Sequence, residues 1–209
     1  MTKISIIGLG SMARALGSRA VGAGHDVQVI GRDATKAAAL AAQLGGGATA
    51  DTIRGGAPAG DIVILAVPYA DAATIVSDYG PVLTGKVIVD ITNPFDPAHT
   101  ALVTARGSSA AQEIAAAAAP GAPVVKAFNT LFAGVLAAGE AAGHPDDVFI
   151  AGDDAAAKAA VSAFIASLGL RPLDTGELDF AHWLEGAGLL ILGQAVQRED
   201  FSLSIKVLG

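Results

Sequence analysis

The 209-residue chain contains no cysteine. Disulfides, a thiolate nucleophile, thiolate-ligated zinc and iron–sulfur clusters are therefore excluded. Charge is also scarce: 16% of residues are charged, and Lys and Arg (13) are outnumbered by Asp and Glu (20). Such a chain lacks the basic face that a nucleic-acid partner requires. The four histidines, His25, His99, His144 and His182, are scattered without ligand spacing, so no metal is expected. Long apolar runs are missing as well. The longest near the C-terminus, Gly186 to Gly193, is far below the ~20 residues of a membrane span. Near the N-terminus, Gly8, Gly10 and Arg14 interrupt the apolar stretch after Lys3, which reads as strand and turn rather than a secretory leader. A cytoplasmic protein without membrane or nucleic-acid partners is the expectation. Hydrophobic residues, at 52%, are ample for a packed core.

Most informative is Lys3-Ile4-Ser5-Ile6-Ile7-Gly8-Leu9-Gly10-Ser11-Met12-Ala13. A β-branched run ends at Gly8, and a helix is predicted from Ser11 to about Ala23, closed by Gly24. This strand, turn and helix is the context that a G-x-G-x-x-[GA] dinucleotide fingerprint requires. Gly8 allows the tight turn, Gly10 admits a pyrophosphate, and Ala13 with Gly17 lets the helix lie close to the sheet. Leu9, Ser11 and Met12 complete the turn, whose helix N-terminus attracts phosphate.

A second strand, Asp26 to Ile30, leads to Gly31-Arg32-Asp33. An NAD site commonly has an acidic residue here for the ribose 2′-hydroxyl. Gly31 instead leaves room for a 2′-phosphate, which Arg32 can grip with a planar fork and Lys36 can reach from the next helical turn. Asp33 reads as the N-cap of a helix from Ala34 to Leu44. The cofactor predicted is NADP(H), with a preference for NADPH.

Further apolar runs recur at intervals suited to βαβ units: Asp61–Val67, Lys86–Ile91, Pro123–Phe128, Asp147–Ala151 and Arg171–Asp174, with a minor strand near Ala48–Asp51. Helices are predicted at Ala70–Tyr79, Ser108–Ala119, Thr130–Gly139, Asp154–Gly169 and about Glu177–Glu199. The fold class is α/β: a doubly wound, mostly parallel Rossmann sheet with a small C-terminal α/β unit. A composition shift near Gly143-His144-Pro145 divides residues 1–143, the NADP-binding domain, from residues 144–209, expected to carry the second-cofactor or substrate site and probable dimer contacts.

In an open α/β sheet the ligand lies beyond the carboxyl ends of the strands. Ala66-Val67-Pro68-Tyr69, Thr92-Asn93-Pro94-Phe95 and Ala127-Phe128-Asn129-Thr130 should therefore converge on the nicotinamide. Asn93, Asn129 and Thr130 can hydrogen-bond a ribose, a carboxamide or a second ring; equally, they are ordinary turn and cap residues. Proton donors are thin. Lys126, read as pointing out of the sheet layer, and His182, at the start of the last helix, are the weak candidates, while His25 reads as a turn residue only. This shortage suggests chemistry by positioning, such as hydride passing between two bound redox rings.

The succession GLGSMARALG, IGRDATK, VILAVPYADA, VIVDITNPFD, VVKAFNTLFAGVL, VFIAGDD and DFAHWLEGAGLLILG resembles the NADPH-dependent deazaflavin coenzyme (F-420) reductases over nearly the whole chain. It is also similar to the cytosolic reductase domain of six-transmembrane metalloreductases. The resemblance implies a homodimer moving hydride between NADPH and a deazaflavin (8-hydroxy-5-deazaflavin, F-420) or a flavin (FMN or FAD), without an obligatory acid/base residue. It implies that Gly8 to Met12 hold the pyrophosphate, and Gly31, Arg32 and Lys36 the 2′-phosphate. Ala66, Val67, Pro68, Asn93 and Pro94 would lie along the nicotinamide, with Ala127, Asn129 and Thr130 near the hydride-transfer region. Phe128-Asn129-Thr130 has the metalloreductase form, whereas deazaflavin enzymes often carry a histidine before the threonine. Pyrroline-carboxylate reductases and β-hydroxyacid dehydrogenases begin similarly but add a large helical domain, for which the residues after Gly143 are too few.

Two alternatives stand beside this reading: a ketone or imine reductase using His182 or Lys126 as proton donor, and a non-catalytic NADPH-binding sensor. Asn129 is a further catalytic candidate. Leu184, Leu189, Leu190, Ile191 and Leu192 give the last helix more apolar surface than a lone helix should expose, which suits dimerisation or packing on its own domain.

Overall fold

A computed structural model describes residues 1–141 and 143–208; residues 142 and 209, which fall in the two expected domains, lie outside the described residues. In chain order the elements are β1 (Lys3–Ile7), α1 (Ser11–Gly22), β2 (Asp26–Gly31), α2 (Ala34–Leu44), β3 (Thr49–Thr52), β4 (Ile62–Leu65), α3 (Tyr69–Tyr79), β5 (Val87–Asp90), α4 (Ala110–Ala117), β6 (Val124–Lys126), α5 (Ala133–Ala138), β7 (Glu140–Ala141), β8 (His144–Pro145), β9 (Asp147–Gly152), α6 (Ala155–Ser167), β10 (Arg171–Asp174) and α7 (Ala181–Arg198).

Among the described residues, eight strands form one sheet in the order β10-β9-β6-β5-β4-β1-β2-β3. From β3 to β6 all pairings are parallel. The chain starts at β1, runs outward to β3, then returns to β4 on the other side of β1. That reversal opens a crevice at the carboxyl ends of β1 and β4. Both faces of the sheet are covered, as its short β-branched runs require. Ile62 and Ile64 enter the core cluster shared with Leu16 of α1 and Phe164 of α6, whereas Val63 and Leu65 enter the one shared with Ile75 of α3 and Ile114 of α4. This alternation is the period of two along a strand.

The C-terminal part extends the same sheet. β9 pairs antiparallel with β6, and β10 lies parallel to β9. Strands on both sides of the expected division at residues 143 and 144 thus share one ladder. The division itself falls between β7 and β8, an antiparallel pair of two residues each, too short to show alternation in sequence.

β6 ends two residues earlier than the apolar run suggested. Phe128 has φ of +60° and is fully buried, a left-handed turn that breaks the strand and redirects the chain. A turn from Phe128 to Leu131 follows, so α5 begins at Ala133 rather than Thr130. α7 likewise begins at Ala181, after a short 3-10 turn over Leu178–Phe180.

His25 is more than a turn residue: it is buried, accepts from the Thr2 N–H at 3.2 Å and contacts Ser167 Oγ at 2.8 Å. Because the Ser167 hydroxyl donates to the Phe164 carbonyl, Nε2 is the donor to Ser167. The ring also meets Phe164 edge-on at 5.4 Å, tying the start of β2 to α6.

Candidate active site

The β1–α1 turn is built around a close approach. Gly8 has φ of +132°, and a Cβ there would overlap the Ala66 carbonyl at the end of β4. Its N–H donates to the Ile30 carbonyl at 2.8 Å, while the Ala66 N–H donates to Ile7. The turn is thereby locked to β2 and β4 together. Gly10 is the extended N-cap of α1 and makes no side-chain cap. A Cβ on Gly10 would meet nothing within 4 Å, so the space beside the uncapped start of α1 is open at that position. An uncapped helix start of this kind fits a pyrophosphate. Gly17 serves a different contact from the one expected: its Cβ would lie 2.7 Å from Leu44 Cδ1, so it brings α1 close to α2 rather than to the sheet.

At the end of β2 the Leu9 side chain lies over Gly31, where any Cβ would collide with it. Asp33 caps α2, accepting from the Lys36 N–H at 3.0 Å. Its carboxylate is thus committed to backbone. Arg32 is 81% exposed, with Asp71 of α3 4.0 Å away. Lys36 is exposed one turn along α2. A third cation, not foreseen, is near: Ile53 donates to the Gly31 carbonyl at 3.0 Å, and the exposed Arg54 follows it.

The loops after β5 and β6 meet under α7. Asn93 Nδ2 donates to the Asn129 carbonyl at 2.8 Å, and Asn129 Nδ2 donates to Asn93 Oδ1 at 3.0 Å and to the Leu184 carbonyl at 2.9 Å. Carbonyl acceptors fix the orientation of both amides. Buried Asn129 Oδ1 has no protein partner. α7 crosses here because Gly188 lacks a side chain; a Cβ would sit 3.0 Å from Asn93 Oδ1 and 3.2 Å from the Asn129 carbonyl. Pro94 and Thr130 are buried, and Ala127 is fully so. Pro68 is exposed as the N-cap of α3, with Ala66 and Val67 half-buried before it.

Behind the two asparagines lies a charged cluster. Lys126 Nζ donates to Asp90 Oδ2 (2.7 Å), the Thr92 carbonyl (2.6 Å) and Glu185 Oε1 (2.8 Å), and the Lys126, Asp90 and Glu185 side chains are all 0% exposed. Asp90 Oδ1 accepts from the Thr92 N–H, and Glu185 Oε2 from the Ala110 N–H at the start of α4. The expectation of Lys126 as a proton donor is corrected: α7 covers it, and all three ammonium protons are engaged. Burial pushes the Glu185 carboxyl up, against the pull of Lys126.

Two titratable groups stand closer to the surface. The Tyr69 phenol donates to Glu113 Oε2 at 2.6 Å; burial, then Glu113, push it up to about 12. His182 donates from Nδ1 to the Ser108 carbonyl at 2.9 Å and meets Trp183 edge-on. Among the described residues no group of three or more His, Asp or Glu could hold a metal, and no helix is long and apolar enough to cross a membrane.

Glu185, Gly188, Tyr69 and Glu113 were not singled out from sequence. A signal existed for the first two: a lone carboxylate and a glycine within the apolar helical run Trp183–Leu192 mark a buried partner and a close crossing.

Residues 3–94 match the family model described as NADP oxidoreductase coenzyme F420-dependent. A structure assigned as an F420-dependent NADP-reductase from Arthrobacter superposes with a TM-score of 0.88 at 27% identity, covering 100% of both chains. A hypothetical protein from Sinorhizobium meliloti gives a TM-score of 0.76 at 33% identity over 85% of this chain and 86% of that one. The rat metalloreductase STEAP3 is 33% identical over 190 residues, 91% of this chain; the chain spans 37% of that protein's length. Residues 3–94 thus match a family of NADP-dependent oxidoreductases, and the whole chain is similar in fold to a structure assigned as an F420-dependent NADP-reductase.

Proposed function

We propose that the chain transfers hydride between NADP(H) and a deazaflavin or flavin ring held over the carboxyl ends of β4, β5 and β6. Gly8 to Met12 receive the pyrophosphate at the start of α1, and Arg32 with Lys36 receives the 2′-phosphate. Ala66–Pro68, Asn93 and Pro94 line the nicotinamide half, and Ala127, Asn129 and Thr130 border the transfer region. Bound NADPH supplies the hydride. The protein orients the ring and excludes water: the Asn93–Asn129 pair holds two loops in register, and Gly188 lets α7 close over them.

The observation that carries this reading is the engagement of the nearby acid/base groups. Lys126 is fully bonded, Tyr69 is held by Glu113, and His182 Nδ1 is held by Ser108. Such a site suits transfer by positioning. The test mixes purified protein and NADPH with the 8-hydroxy-5-deazaflavin coenzyme, then FMN, then FAD, and follows NADPH absorbance. Oxidation with one of these is expected. Tight NADPH binding without oxidation by any acceptor supports the sensor instead.

A ketone or imine reductase is the second reading, favoured by one observation: Tyr69 follows the β4 loop directly and stays protonated at neutral pH. Oxidation of NADPH only by carbonyls or imines, abolished in Tyr69→Phe, supports it. We also propose that residues 144–209 carry the second-cofactor contacts and a homodimer face on α7, where Trp183 (68%) and Leu190 (67%) are exposed.

A further inference from the structure

We infer that Glu185 biases the nicotinamide site toward the oxidised cofactor, by leaving one uncompensated negative charge buried behind it. The inference rests on NADP(H) binding with its nicotinamide half over β5 and β6, and is independent of which acceptor is used.

The cluster contains two carboxylates, Asp90 and Glu185, and one ammonium, Lys126, all fully buried. Its formal charge is −1. It stands at the carboxyl ends of β5 and β6, where an open α/β sheet holds its ligand. Lys126 grips the Thr92 carbonyl, one residue before Asn93, and Glu185 follows Leu184, whose carbonyl receives Asn129. The charge therefore sits immediately behind the amide pair.

Stability does not explain the second carboxylate. One would suffice to neutralise Lys126, and each buried charge carries a desolvation cost. What the surplus charge discriminates is the redox state of the ligand. Loss of hydride, with its electron pair, leaves the nicotinamide ring with a positive charge, whereas the reduced ring is neutral. A negative charge behind the ring favours the oxidised form and so favours departure of the hydride from NADPH. At an effective dielectric of about 20, one unit charge at a separation on the order of 10 Å is in general worth about tenfold in an equilibrium.

Glu185 is faced by Lys126 from β6, Asp90 from β5 and the Ala110 N–H from α4, with Tyr69 and Glu113 beyond and His182 on its own helix. Both of its oxygens accept hydrogen bonds, which favour the charged form against burial.

The experiment titrates NADP⁺ and NADPH separately into wild type and Glu185→Gln at about pH 8, with thermal melts to verify folding. The ratio Kd(NADP⁺)/Kd(NADPH) is expected to rise about tenfold in the variant, equivalent to about 30 mV in the potential of the bound two-electron couple. Asp90→Asn removes the same charge from the other side of Lys126 and should shift the ratio in the same direction. Wild type needs no substitution: burial pushes the Glu185 carboxyl up, so as pH falls and it takes a proton the ratio should rise, while the cofactor's 2′-phosphate titration, common to both forms, cancels. Equal changes in both affinities on substitution, or a wild-type ratio that stays flat with pH, overturn the inference. Failure of wild type to bind either form would instead overturn the placement of the cofactor.

Discussion

Asn93 and Asn129 hold one another through hydrogen bonds running in opposite directions: the side chain of Asn93 reaches the backbone of Asn129, and the side chain of Asn129 reaches the side chain of Asn93. Neither amide can rotate without setting oxygen against oxygen. Asn129→Asp, nearly isosteric, should therefore turn a carboxylate toward the Leu184 carbonyl and loosen α7 from the β6 loop. The expected result is a lower melting temperature and at least a tenfold loss in kcat with the preferred acceptor. Thermal melts and steady-state kinetics check it.

Arg32→Ala should weaken NADPH by about ten- to a hundredfold, the range for a charge-assisted contact of roughly 1.5–3 kcal/mol, and leave NADH nearly unchanged. Asp71→Asn should do the reverse, tightening NADPH by a few fold, because the carboxylate 4.0 Å from Arg32 competes with the 2′-phosphate. Equal losses for both cofactors in Arg32→Ala would remove the 2′-phosphate assignment.

Gly8→Ala should cost at least about 2 kcal/mol, since the residue must keep φ of +132° and its Cβ overlaps the Ala66 carbonyl. NADPH binding should be lost with it. Gly10→Ala is the informative control: space is open at that position, so stability should survive while phosphate access does not.

Lys126→Met should be severely destabilising, by about 3–5 kcal/mol, because two buried carboxylates lose their shared cation. Adding Asp90→Asn and Glu185→Leu should recover much of that loss. Urea unfolding of the single and triple variants reads the difference.

Acid unfolding should depend on Asp147. Burial would raise its pKa, but the fork of Arg171, the Lys206 ammonium and the Val207 N–H hold the carboxyl well below the ordinary range. A depressed folded pKa contributes stability above the unfolded value near pH 4 and loses it as pH falls further. Asp147→Asn should therefore melt below wild type at pH 6, with the gap closing toward pH 2. Glu185 has the opposite sign: its raised pKa makes folding less favourable as pH climbs above the ordinary carboxylate range.

The parallel half of the fold was legible because its signals are local. Ile4 to Ile7 and Ile62 to Leu65 read as doubly buried strands, and Asp33 capped the helix that its position announced. The exposed cations after β2 were legible because Gly31, Arg32 and Lys36 lie within six residues. The loop cluster at the ends of β5 and β6 was only partly so. Its loops follow the strands, but what closes them comes from α7, more than fifty residues beyond Asn129. Phe128 was read as strand because its apolar side chain is indeed buried; the left-handed backbone beneath it leaves no mark in composition. Lys126 was misread for a related reason. A lysine in an apolar strand pairs with whatever carboxylate the tertiary fold supplies, and Glu185 is remote in sequence.

The antiparallel ladder between β6 and β9 joins Val125 and Lys126 to Gly152 and Ala151 and spans only those pairs. By contrast, β9, α6 and β10 form a consecutive parallel unit able to assemble locally. In amide hydrogen exchange this short seam should open before the ladders around β1, and in refolding it should close among the last. Because Lys126 belongs to the seam, its opening would admit water to the buried ammonium before the nucleotide turn lets go of its neighbours.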